Sequence, residues 1–155
     1  MKRRAATRKR GTPAKKAKPS AISHAHLVGM PRIGMESSIQ RVVPHEWTIA
    51  AFDPRLPPVL STPAMIGLME LAALQAVQPE LPSGAITVGT RIEVDHLKAV
   101  TDGATVRAAA RLVGYQGRFL VFDVEARSGD LVLGRGKVFR AIVDNRKFPI
   151  TANDK

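Results

Sequence analysis

The stretch Ser61–Val77, STPAMIGLMELAALQAV, most constrains what this chain can become. Met65, Ile66, Leu68, Met69, Leu71, Leu74 and Val77 recur around the whole circumference of a helix, so the spacing predicts a helix enclosed by other structure. Thr62 followed by Pro63 reads as the N-cap and first helical residue, because proline suits a position whose N–H has no intrahelical partner. Pro79 closes the helix. One residue breaks the apolar pattern. Glu70 is a carboxylate that is costly to desolvate as an anion unless it is paired, hydrogen-bonded or protonated, so its presence demands a reason.

Alternating segments around the helix predict a sheet. A first strand covers Met35–Val43, with Ile39 and Val43 inward, and a long connection punctuated by Pro44, Pro54, Pro57 and Pro58 follows. That connection carries Trp47 and Phe52 and is a candidate lid or pocket wall. Beyond the helix, four segments alternate with period two: Ile86–Leu97, Thr105–Val113, Arg118–Arg127 and Leu131–Val143. In the first, Thr87, Arg91, Glu93 and Asp95 form the polar side, and Ile86, Val88, Thr90, Ile92, Val94 and His96 the apolar one. In the last, Arg140 shares a face with Val138 and Ile142; if that face is the inner one, Arg140 is a buried or pocket-lining cation. Turns at Asp102-Gly103, Gln116-Gly117 and Ser128-Gly129 leave connections too short for parallel crossovers, so the four segments should form an antiparallel meander. The class is α+β. Glu70, His96 and Arg140 all fall on inward surfaces, and three ionisable groups there point to a pocket.

Composition narrows the partners. The 155 residues suffice for one domain, and no stretch is long and apolar enough for a membrane span or a signal peptide core. With zero cysteines there is no disulfide framework, thiolate metal site or cysteine nucleophile, and a cytoplasmic setting is expected. The net charge of +11 is concentrated in residues 1–18, which hold Lys2, Arg3, Arg4, Arg8, Lys9, Arg10, Lys15, Lys16 and Lys18 and no acid. Such a segment reads as a disordered basic tail capable of weak polyanion contact. A linker over residues 19–34 contains His24 and His26, a weak metal hint with no further ligand at suitable spacing, so no metal or cofactor is expected. A short C-terminal tail, residues 149–155, ends the chain.

The order strand, long loop, buried helix and antiparallel strands resembles the hotdog fold. VLSTPAMIGLMELAA (Val59–Ala73), ITVGTRIEVDHL (Ile86–Leu97) and GRGKVFRAIVDNRKF (Gly134–Phe148) are similar to the fluoroacetyl-CoA thioesterase family of acyl-CoA hydrolases. The resemblance covers residues 35–148. It implies catalytic Thr62, Glu70 and His96, Gly89 and Arg140 near the acyl group, and Leu56 at the family's aromatic gate. It also implies a short- or medium-chain acyl-CoA substrate. The alternative is a non-catalytic acyl-CoA binding or sensing module, with the tail binding nucleic acid.

These residues suit thioester hydrolysis. Free N–H groups at the helix N-terminus can stabilise an oxyanion near Thr62, Glu70 can act as nucleophile or general base, and His96 can move protons. Thr62 serves as nucleophile, as holder of the attacking water, or simply as a cap. A Ser61–His96–Asp95 triad is disfavoured because adjacent strand residues point to opposite faces. Thr62 and Glu70 are separated by about 12 Å of helical rise and about 80° of rotation, too far to meet within one chain. A homodimer with sites shared across its interface is therefore expected.

Overall fold

The computed structural model describes residues 30–147. The basic tail, His24, His26 and the residues after 147 lie outside them. Strand β1 (Glu36–Val42) leads through two short 3-10 turns, His45–Trp47 and Ile49–Ala51, to helix α1 (Thr62–Val77). Strands β2 (Ala85–His96), β3 (Thr105–Gln116), β4 (Phe119–Ser128) and β5 (Leu131–Asp144) follow. One antiparallel five-stranded sheet wraps α1, as the resemblance to the hotdog fold implies.

The strand order β1-β3-β4-β5-β2 corrects the expected meander. β3, β4 and β5 are consecutive hairpins, but β2 pairs with β5 at the far edge. Residues 97–104 are therefore a crossing rather than a hairpin. Spanning three inter-strand spacings takes about 14 Å, which eight residues cover easily. The crossing is held under the start of the helix, where Leu60 N–H donates to the Val100 carbonyl at 2.8 Å and Val59 bridges Thr101.

The core forms where the apolar faces meet. Met65, Leu68, Met69, Ala72, Ala73, Ala76 and Val77 of α1 are buried against Val106, Leu112, Leu120, Phe122 and Val138, with Ile39 and Val43 inward as expected. Each large side chain removed from water there contributes about 1.5–3 kcal/mol. The helix is not enclosed on all sides, however. Pro63, Gly67, Leu71 and Gln75, four residues apart and so on one stripe, are exposed. A single sheet layer cannot surround a helix, and among the described residues nothing else covers that stripe.

Three register shifts bend the sheet, placing Thr90, Val113 and Leu133 as extra residues in β2, β3 and β5. The first reverses the parity of β2. Gly89 pairs with Arg140 and Ile92 with Val138, and both partners lie on the helix side of β5. Before the bulge the odd positions Thr87 and Gly89 therefore face the helix; after it the even positions Ile92, Val94 and His96 do. Thr87, expected on the polar side, is buried.

Candidate active site

The helix start divides its work between two adjacent hydroxyls. Ser61, not Thr62, is the N-cap: its backbone is extended and its Oγ accepts the Ala64 N–H at 3.4 Å. Thr62 is the first helical residue, with Pro63 behind it. Capping therefore does not occupy the Thr62 hydroxyl, which lies 2.8 Å from His96 Nδ1. His96 Nε2 lies 3.1 Å from the Lys98 carbonyl. The oxyanion donors expected at this helix end are reduced: Pro63 has no N–H, Ala64 serves the cap, and Met65 N–H donates to the Ser61 carbonyl at 3.1 Å. Thr62 N–H is the donor left free among the described residues.

Two turns along α1, Glu70 faces the other half of β2. Arg140 Nη1 donates to Glu70 Oε1 at 3.1 Å, while Nε donates to Thr87 Oγ1 at 2.9 Å and Nη2 to the Thr87 carbonyl at 2.8 Å. Arg140 is 5% exposed, and burial pulls its pKa down from the ordinary value while the Glu70 charge pushes it back up. Three charge-assisted bonds compensate for the burial of this cation. Glu70, with its side chain 29% exposed, opens into a notch of about 400 Å³ lined by Gly89, Thr90, Arg91 and Ile92. Gly89 belongs there for a steric reason: a Cβ would overlap Glu70 Oε1 and lie 3.1 Å from Cδ. The larger depression, about 890 Å³, lies on the opposite face of the sheet among Arg107, Asp123, Glu125 and Lys137. None of the candidate catalytic residues lines it; Thr62, Glu70 and His96 lie along the helix–β2 seam instead.

The expected residues thus gather into two pairs, Thr62 with His96 and Glu70 with Arg140 against Gly89. Leu56 joins neither: it is 44% exposed on the loop before α1 and does not line the notch. Ser61 is buried in its cap and Asp95 points to the far face of the sheet, so the Ser61–His96–Asp95 set is not assembled. Thr87 escaped the sequence reading because the bulge turns it inward; Gly89, a lone glycine inside a strand, was the available signal for that bulge. The Lys98 carbonyl is a backbone group and left no signal at all.

Against known proteins, the family model for fluoroacetyl-CoA-specific thioesterase matches residues 43–146. The fluoroacetyl-CoA thioesterase of Streptantibioticus cattleyicolor is 34% identical over 130 residues, which covers 80% of this chain and 94% of that protein. A solved fluoroacetyl-CoA thioesterase structure superposes with a TM-score of 0.70 at 36% identity, over 77% of this chain and 93% of the other. A thioesterase superfamily member from Thermus thermophilus gives 0.69 at 29% identity, over 76% and 88%.

Proposed function

Because the chain belongs to the fluoroacetyl-CoA-specific thioesterase family, we propose that it hydrolyses a short- or medium-chain acyl-CoA to the free acid and CoA. The observation that carries this is the Thr62 hydroxyl, released from capping and set against His96, on the same seam as a carboxylate held by a buried arginine. The Thr62–His96 pair supplies a base, which leaves Glu70 the part of nucleophile. Its free oxygen, Oε2, attacks the thioester carbon, the C–S bond breaks, and CoA departs as the thiolate. Water then hydrolyses the acyl–Glu70 anhydride, losing its proton toward Thr62 and His96. Acid and the Glu70 carboxylate are regenerated, and the imidazolium proton neutralises the thiolate.

The two pairs lie at opposite ends of the seam, so a complete site takes Thr62 and His96 from one chain and Glu70 from a second. Two features support a homodimer. Among the described residues the stripe of α1 through Pro63, Gly67 and Leu71 is uncovered, and β2 is a long edge strand with Ile92 44% exposed, the kind of edge that invites pairing. No helix among the described residues is long and apolar enough to cross a membrane. The reaction itself is tested with a panel of acyl-CoAs and free-thiol detection. Glu70→Gln and His96→Ala should each lower kcat by about 100-fold or more. Wild-type protein that binds acyl-CoA without releasing thiol would favour the sensing module.

A further inference from the structure

The Thr62–His96 pair has a direction. A carbonyl oxygen only accepts hydrogen bonds, so the Lys98 carbonyl 3.1 Å from His96 Nε2 requires the proton on Nε2. In the neutral ring Nδ1 is then an acceptor, and the Thr62 hydroxyl at 2.8 Å must donate to it. Asp95, Glu93 and Asp102 are the nearest acids in sequence, but none serves the imidazole: Asp95 lies on the outer face, Glu93 pairs with Arg91 and Asp102 pairs with His45.

The position of that carbonyl is itself built. Leu133 is the extra residue of the β5 bulge, and its carbonyl accepts two N–H groups, from Leu97 at 2.7 Å and from Lys98 at 3.1 Å. These two hydrogen bonds to one oxygen curl the chain just past β2, and the Lys98 carbonyl lies against the ring two residues earlier. Leu133 is anchored by a fully buried side chain. Opposite His96 in the ladder stands Gly134, where a Cβ would lie 2.6 Å from Met65 Cε and 2.7 Å from the Asp95 carbonyl. A side chain there would run into Met65 and the Asp95 backbone.

We propose that the Lys98 main-chain carbonyl is the orienting member of this site, doing the work a carboxylate does in other base-assisted hydroxyl systems. It holds the Nε2–H tautomer, so that proton transfer runs from Thr62 Oγ1 to His96 Nδ1. As the attacking water gives its proton to Thr62, Thr62 passes its own to Nδ1, and the imidazolium keeps Nε2–H on Lys98. The assignment of a hydrolytic role rests on the proposed thioesterase reading, but the tautomer does not.

The test is ¹⁵N-histidine NMR of the full chain, with the His96 signals assigned by their absence in His96→Gln. In the neutral ring, a protonated Nε2 and bare Nδ1 are expected; the reverse tautomer, or an even mixture, overturns the proposal. Lys98→Pro removes the N–H that bonds Leu133 and should mix the tautomers, lowering kcat about tenfold while KM stays within about twofold. A folded Lys98→Pro protein with a locked tautomer and full kcat also overturns it, and if that variant does not fold the wild-type spectrum decides. Wild-type protein with the Nε2–H tautomer and no thiol release supports the lock while removing the hydrolase reading.

Discussion

Replacing Gly89 with alanine separates the placement of Glu70 from the stability of the fold. The new Cβ would overlap Oε1 and lie 3.1 Å from Cδ, where ordinary carbon–carbon contact begins at about 3.5 Å. Glu70 sits at the end of a flexible, half-exposed side chain, so it retreats by about 1 Å and stretches its 3.1 Å bond to Arg140 rather than tearing the helix from the sheet. Weakening that bond costs about 1 kcal/mol, while alanine in a strand interior recovers about 0.5–1 kcal/mol relative to glycine. Thermal unfolding should therefore move by no more than about 3 °C. Catalysis should suffer far more, because a reacting group misplaced by about 1 Å loses about 100-fold. Thiol release from acyl-CoA measures kcat, and a double-mutant cycle sharpens the result. Glu70→Asp retracts the carboxylate by about 1.5 Å, beyond the added methyl, so Gly89→Ala should cost little further in that background. Gly89→Ala with wild-type kcat, or losses from the two changes that multiply, would refute the reasoning.

Ser61→Ala should cost about 1 kcal/mol of stability by urea unfolding, whereas Thr62→Val should leave stability within about 0.5 kcal/mol and lower kcat; the opposite pattern would return the cap to Thr62. Co-refolding Thr62→Ala with Glu70→Gln chains should restore about half of wild-type activity per heterodimer, since one shared site is intact and the other doubly damaged; verified heterodimers that stay inactive would place both residues in one site. Deleting residues 1–18 should leave kcat nearly unchanged, with any effect on KM fading as salt shortens the screening length to about 10 Å at 0.1 M.

Much of the layout was legible because burial writes a period into sequence. The inward positions of Ile39, Val43, Leu120, Phe122, Val124 and Val138 follow from alternation alone, and Glu70 and Arg140 stood out as charges on apolar surfaces. What failed depended on information between segments. Ser61 and Thr62 are equally good caps before a proline, and only the packing of Thr62 beside His96 separates them. Asp102-Gly103 does make a turn, but whether a turn closes a hairpin depends on which strand edges are already taken, and β5 had taken that of β2. Phe52, an aromatic on the candidate pocket-wall loop, is 73% exposed, whereas Trp47 packs against the core.

The Thr90 bulge has a consequence for which lengths of chain can carry this site. Gly89 and His96 are an odd number of residues apart, and in a regular strand such residues never share a face. Here one surplus residue absorbs the mismatch, and the Thr90 hydroxyl occupies the Phe139 carbonyl at 3.0 Å in the irregular stretch. Removing Thr90 would leave an even spacing that a regular ladder satisfies, with both residues still facing the helix. Adding a residue there would make the spacing even as well, but two residues longer than the six that separate Arg140 from Gly134 on β5, so only a second bulge would keep both residues opposite their present partners. Among natural variants of this strand, losses of one residue at the bulge should thus be tolerated more readily than gains.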